Sequence, residues 1–197
     1  MKRIIVGLFT IMVTCSMIIE NNVLTRDVQA ASKSTMKKAY KKYLKKKVSK
    51  NKRYAIVNIG DNNKPVLLIG SSNKYDYVGQ GKYYACSVYY YQKGKVKKIC
   101  AFSGGHMISL CKKDRKYYIN TGLSDSSINL RIQKGKTYKA SYYNCHNKKA
   151  EDCWAKSKIT FGKKTIKNYG YLSSKQYVKY RDSYKHIKDI TFSMNKK

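Results

Sequence analysis

The chain has 197 residues, and its 43 Lys and Arg outnumber its 10 Asp and Glu, which gives a formal net charge of +33. This length excludes a large multidomain enzyme. The charge excludes an acidic disordered tail and disfavours a neutral partner.

The first thirty residues predict a signal peptide. Lys2 and Arg3 precede an apolar run over 4–19, and the small-residue sequence at 28–30 fits cleavage before Ala31. The run is short for a membrane span, and no later run reaches that length. We therefore expect a secreted protein, extracellular or associated with the cell envelope, with no transmembrane segment after cleavage.

Cleavage at this position would leave 167 residues with 40 Lys and Arg against 8 Asp and Glu. All 20 Tyr lie in this part, and Tyr suits a half-buried sheet surface because its ring is apolar and its hydroxyl reaches water. The length suffices for one core. We expect a helix over 31–50 and a single β-rich domain over 51–197.

Residues 31–50 have the spacing of an amphipathic helix. Met36, Tyr40, Tyr43, Leu44 and Val48 recur every three or four residues. No acid lies in this segment to pair with its lysines, so the helix repels itself and needs packing or a bound anion. A solvated face is the common alternative. The candidate anion-binding residues of the opposite face are Lys37, Lys38, Lys41, Lys42, Lys45 and Lys46.

Short apolar segments then alternate with polar turns about every ten residues, which predicts an antiparallel meander. A second, short helix is expected from Ser173, and a last strand at 188–193. The fold class is thus α+β, mostly an antiparallel β-meander in a curved sheet or partly closed barrel. The expected strands before that helix are 53–59, 66–70, 82–91, 95–102, 107–112, 116–121, 127–132, 136–143 and 157–161.

The string QKGK occurs at 92–95 and at 133–136, and a three-residue loop ending in Gly suits both copies. In this register Tyr91 faces Lys95, and Cys86 lies opposite Cys100 at a distance that a disulfide can bridge. Cys111 would lie on the other side of Cys100.

Five cysteines remain after cleavage, an odd number for a secreted chain. The expected disulfides are Cys86 with Cys100 and Cys145 with Cys153, which leaves Cys111 unpaired. The alternative is that all five stay reduced as small apolar side chains.

Residues for catalysis are scarce, so we expect no enzyme activity and no cofactor. Glu151 and Asp152 are adjacent on the chain and face apart, which argues against a glycosidase pair. Cys145 next to His146 is a weak candidate for a nucleophile, and with Cys153 a weak candidate for a zinc site, because the spacing fits no common finger.

The segments AYKKYLKKK, YAIVNIGDNNKPVLLIG, YYYQKGKVKKI and LSSKQYVKY with IKDITFSMNK are together similar to a set of small secreted proteins of low-GC Gram-positive bacteria. The resemblance implies an Asp-rich, calcium-like loop in the second segment. Here Asn58, Gly60, Asn62 and Val66 replace its oxygen ligands, and Asp61 is out of phase. We expect the turn to remain without a metal.

The leading functional hypothesis is a non-catalytic protein that binds an anionic polymer, such as a wall polymer or an acidic glycan. Lys acts as a point charge without the planar fork of Arg, which favours electrostatics of low specificity. The alternative is a cationic protein that acts on membranes or binds nucleic acid, with Tyr stacking on bases and Lys along a backbone.

Overall fold

The computed structural model describes residues 31–71, 81–123, 126–146 and 153–196, and the expected signal peptide lies outside them. The described residues form two antiparallel sheets and two α-helices, which confirms the α+β prediction. The strands are β1 (Arg53–Val57), β2 (Val66–Gly70), β3 (Ala85–Gln92), β4 (Lys95–Ser103), β5 (Ser109–Lys113), β6 (Lys116–Leu123), β7 (Ser126–Gln133), β8 (Lys136–His146), β9 (Cys153–Phe161), β10 (Lys164–Leu172), β11 (Lys185–Asp189) and β12 (Ser193–Met194).

The strands divide into two sheets that are not closed into a barrel. Sheet I has the order β12-β1-β2-β3-β4, and sheet II has the order β10-β9-β8-β7-β6-β5-β11. The chain leaves sheet I after β4 instead of turning back onto it. Two backbone hydrogen bonds fix the chain where it leaves sheet I: Gly104 N–H donates to Tyr84 O at 3.2 Å, and Ile108 N–H donates to Tyr83 O at 2.8 Å.

The sheets lie face to face. Phe102 of β4 and Leu130 of β7 line one cavity of about 350 Å³ between them. Because side chains alternate along a strand, Leu130 and Ile132 belong to the inner face of sheet II, and Asn129 and Arg131 belong to its outer face.

Helix α1 (Lys33–Lys47) covers the other face of sheet I, as its periodicity predicts. Met36, Tyr40 and Leu44 are buried, and Tyr43 packs its ring 5.4 Å from that of Tyr89. Burial of this apolar stripe opposes the repulsion between the exposed lysines.

A buried carboxamide closes the end of α1. Asn195 is 4 % exposed, and its Nδ2 donates to the carbonyls of Leu44, Val48 and Ser49 at 3.3, 2.9 and 3.2 Å. The Val48 carbonyl lies just past the helix end, where carbonyls lack intrahelical donors. The carbonyls of Leu44 and Ser49 also accept the amide hydrogens of Val48 and Lys52. The contact therefore ties the helix to the C-terminal end of the described chain, where Asn195 N–H also donates to Lys52 O.

Helix α2 (Ser174–Asp182) packs on the outer face of sheet II through tyrosines. Ser173 and Gln176 form a capping box at its start. The ring of Tyr180 stacks on Tyr142 at 5.9 Å, and Tyr184 meets Tyr118 edge-on at 5.0 Å. The Tyr-rich composition thus supplies the core on this side.

Two expectations about the strands were wrong. No strand was predicted where β10 lies, an exposed edge strand with two register shifts that interrupt its pairing with β9. The single last strand at 188–193 is two strands, because residues 190–192 cross from sheet II to sheet I. Within the described ranges, no helix is both long and apolar enough to span a membrane.

We expect Asn195→Ala to lower the free energy of unfolding by about 1–3 kcal/mol, because the Val48 carbonyl loses its donor. Urea unfolding measures the change. Lys196→Ala is the matched control, because Lys196 is the exposed neighbour. An equal loss in the two variants would contradict the role of Asn195.

Candidate anion-binding surface

Five turns lie at the same end of the two sheets. They join β1 to β2, β3 to β4, β5 to β6, β7 to β8 and β9 to β10. In an antiparallel meander alternate turns fall at the same end. The three turns of sheet II are each two strands apart, which is about 10 Å. We call this surface the turn face: residues 60–64, 92–95, 113–116, 133–136 and 161–164.

Short contacts bring the turn ends of the two sheets together. Lys134 N–H donates to Asp61 Oδ2 at 2.7 Å, and Ile132 N–H donates to Ile59 O at 3.0 Å. Gly135 lies so close to the carboxamide of Gln92 that a Cβ there would clash with it. The two QKGK turns therefore touch each other across the sheets.

The turn face is strongly cationic. It carries ten basic and two acidic residues, and eight of the ten basic side chains are exposed. One of the acids, Asp61, already accepts the Lys134 amide hydrogen. The basic residues are Lys64, Lys93, Lys95, Lys113, Arg115, Lys116, Lys134, Lys136, Lys163 and Lys164.

Three of these cations occupy the left-handed backbone region. Lys93 has φ 49°, Lys134 has φ 47° and Arg115 has φ 60°. Each belongs to a two-residue hairpin loop whose central residues both have positive φ, for which Asn or Gly is preferred. A basic side chain there costs stability and stands at the tip of the hairpin.

A buried guanidinium lies behind this surface. Arg131 is 5 % exposed, and its Nη2 donates to Gly60 O at 3.2 Å. Its Nε and Nη1 have no hydrogen-bond partner among the described residues. Burial raises the pKa of the neighbouring Tyr118 hydroxyl, and a side-chain hydrogen bond with Arg131 and the Arg131 charge offset part of that rise. Arg131 therefore adds positive potential behind the turns.

The six predicted lysines of α1 are all exposed, along the flank of sheet I. The Tyr40 hydroxyl donates to Pro65 O at 3.0 Å and accepts the Tyr91 amide hydrogen at 3.1 Å. Both partners adjoin turns of the turn face, whereas Asn195 holds the far end of the helix. The helix therefore starts near the turn face and runs away from it.

The calcium-like segment keeps a turn. Gly60 N–H donates to Lys64 O, and Lys64 N–H donates to Asp61 O, both at 2.9 Å. Asn62 and Asn63 both have positive φ. In the part of the chain that the structure describes, no three His, Cys, Asp or Glu residues come together as metal ligands do.

The expected cysteine register was wrong. The loop has two residues, so Gln92 pairs with Lys95, and a register shift beyond Tyr89 places Cys86 opposite Phe102. Cys100 lies opposite Val88. The structure has Cys86 and Cys100 as free thiols instead of the expected disulfide.

The other three cysteines that remain after the expected cleavage lie in sheet II. Cys111 is a free, buried thiol opposite Tyr118, so it is not beside Cys100 as expected. Cys145 lies opposite Trp154, and Cys153 lies opposite His146. The side chains of Cys145 and Cys153 are outside the described part, so their disulfide stays a prediction.

The other candidates do not gather into one site. The described histidines His106 and His186 are exposed, and His186 Nε2 is 3.4 Å from Asp189 Oδ1. Glu151 and Asp152 lie outside the described residues. The turn face was not predicted from the sequence, although the QKGK string, which forms two of its five turns, occurs twice in the chain.

Comparisons with protein-family models, with curated proteins and with solved structures find no match. The likeness to secreted proteins of Gram-positive bacteria therefore stays a prediction.

We expect Lys93→Asn and Lys134→Asn each to raise the free energy of unfolding by about 0.5–1 kcal/mol, because Asn tolerates the left-handed region better. Denaturant unfolding measures the change. Lys97→Asn, on the exposed part of β4, is the control and should give no gain. Destabilisation by both turn substitutions would contradict the assigned backbone conformation.

Thiol reactivity provides a second check. Burial raises the pKa of Cys86, raises that of Cys100 to about 11 and raises that of Cys111 to about 12. At pH 8 we expect alkylation of Cys100 to be about a hundredfold slower in the folded chain than in urea, because thiolate is the reactive form. Peptide masses after iodoacetamide pulses measure this rate. Resistance of Cys86 and Cys100 in urea until reductant is added would instead show a disulfide.

Proposed function

We propose that this protein is a non-catalytic module that binds an anionic polymer, such as a cell-wall polymer or an acidic glycan, through the turn face. The observation that carries the proposal is the convergence of ten basic and two acidic residues on five adjoining turns. The proposal retains the expectation from residues 1–30 that the protein is exported to the cell surface or the medium.

The spacing of the turns favours a polymer over a small anion. The three turns of sheet II span about 20 Å from first to last, so one ligand that reaches all of them must be extended. The turns of sheet I lie beside them through the contact between Asp61 and Lys134. A flexible chain of negative charges fits such a broad surface.

The chemistry of the cations favours low specificity. Nine of the ten basic residues are Lys, whose ammonium group is a point charge without a fixed fork. Exposed Lys residues release counterions from a polyanion, so the affinity should fall steeply with salt. The cost of placing Lys93 and Lys134 at positive φ is consistent with selection for charge at the hairpin tips.

The first test uses fluorescently labelled inorganic polyphosphate and fluorescence anisotropy at several salt concentrations. The double variant Lys93→Asn/Lys134→Asn should bind about tenfold more weakly at low salt. It should also reduce the slope of log affinity against log salt by about one to two. Because Asn suits these positions, a folding defect is not expected to mask the result.

A matched control removes the same charge elsewhere. Lys175 and Lys179 are exposed on α2, away from the turns, and Lys175→Gln/Lys179→Gln should change the affinity less than about twofold. Lys37→Gln/Lys41→Gln tests the helix predicted from sequence. Unchanged binding in the turn-face double variant, or an equal loss in the α2 control, would overturn the proposal.

Three further ligands distinguish an acidic glycan, a nucleic acid and a membrane as the partner. Heparin tests an acidic glycan, a single-stranded oligonucleotide tests nucleic acid, and leakage of anionic vesicles tests membrane activity. The proposal expects binding of polyphosphate or heparin without vesicle leakage. Leakage that disappears with Lys37→Gln/Lys41→Gln would support the membrane alternative instead.

A further inference from the structure

The outer face of sheet II changes character along its strands. Tyr118, Tyr142 and Ala140 cover it under α2. On β5, β6 and β7 a polar row follows Tyr118 toward the end opposite the turn face, with Ser109 opposite Asn120 and Asn120 opposite Asn129. On β8 the apolar surface continues, because Ala140 lies opposite Asn129 and Tyr142 lies opposite Ser127. A buried polar row on a sheet face costs free energy unless its groups are paired.

Hydrogen bonds organise this row. Asn120 Nδ2 lies 2.8 Å from Asn129 Oδ1 and 3.1 Å from Ser127 Oγ, and Asn129 Nδ2 donates to Ser127 Oγ at 3.2 Å. The Cys111 thiol also donates to Asn129 Oδ1. Asn129 is fully buried. These contacts orient the carboxamide of Asn120, and within the described ranges no donor is bound to its Oδ1.

Ser109 and Asn120 of this row line a pocket of about 290 Å³. Polar side chains from the β4–β5 connection, β5, β6, β7, α2 and β11 line it, among them His106, Ser109, Asn120, Ser127, Arg181 and Asp189. Arg181 brings one positive charge and Asp189 one negative charge to the same pocket. The volume is just below the range of about 300–1,000 Å³ for ligand sites, so a ligand of this pocket must be small.

Asp189 places a negative charge in this pocket, in a chain that has few acidic residues. Only four acidic residues lie in the described ranges, and Asp189 is one of them. Its carboxylate contacts Lys82 Nζ and His186 Nε2, both at 3.4 Å, and a carboxylate has about four acceptor positions. Arg181 uses Nε on Asp182 at 2.8 Å and lies 5.7 Å from the Tyr177 ring, which orients its guanidinium.

We propose that this pocket is a second binding site, for a small zwitterion such as a free amino acid or a short peptide. The carboxylate of the ligand would bind the Arg181 guanidinium, and its ammonium group would bind Asp189. The Asn120 and Ser127 side chains would bind the polar atoms between them. An inorganic anion would use Arg181 but add nothing to the contacts that Asp189 makes with Lys82 and His186, and a neutral sugar would use neither charge.

The site does not depend on the polymer proposal, because the turn face lies at the other end of the strands. The test titrates the full ¹⁵N-labelled chain with glycylglycine and follows the side-chain amides of Asn120 and Asn129. We expect saturable shifts with a Kd on the order of 1 mM. Acetate and methylammonium, which carry one charge each, should bind at least about tenfold more weakly.

Arg181→Gln and Asp189→Asn should each weaken glycylglycine binding at least about fivefold, and Arg181→Lys should restore part of it. Lys93→Asn/Lys134→Asn should leave it unchanged. Backbone spectra that match the parent protein away from the pocket show that each variant is folded. No saturation below about 0.1 M glycylglycine, unchanged binding in Arg181→Gln, or equally tight binding of glucose would overturn the proposal.

Discussion

The carboxylate of Asp61 accepts the amide hydrogen of Lys134 at 2.7 Å, where the turn of β1 and β2 meets the turn of β7 and β8. With the bond from Ile132 N–H to Ile59 O, this contact aligns sheet I with sheet II at one end. All five turns consequently present their side chains on a single surface. Without this alignment the two sheets would present two separate sets of lysines, each with fewer charges.

The rest of the molecule offsets the cost of concentrating positive charge. The turn lysines repel one another, and Lys93 and Lys134 adopt a backbone conformation that disfavours them. Tyrosines under α2 and the apolar stripe of α1 supply burial that opposes this cost, and Asn195 secures the end of α1. Two of the few acidic residues make local contacts: Asp61 accepts the Lys134 amide hydrogen between the two sheets, and Asp189 contacts Lys82 and His186.

Periodicity and turn residues were enough to predict both helices, most strands and the α+β class, because local spacing determines these features. Strand β2 was predicted over its observed range, and the three buried residues of α1, Met36, Tyr40 and Leu44, were among those predicted for its apolar face. To predict which residue pairs with each cysteine, one needs the length of the β3–β4 loop and the register shift beyond Tyr89. Neither can be read from the QKGK string alone. The division into two sheets and the turn face depend on contacts between distant turns, such as Gln92 with Gly135, which periodicity does not encode.

The central claim is that the turn face, and not the helix, is the main polymer-binding surface. The most direct measurement is a titration of the ¹⁵N-labelled chain with short inorganic polyphosphate, followed through the backbone amides. Binding at the turn face predicts the largest shifts at Lys93, Gly94, Asp114, Lys134 and Gly135. Shifts concentrated in α1 between Lys37 and Lys46, or spread evenly over all lysines, would contradict the account.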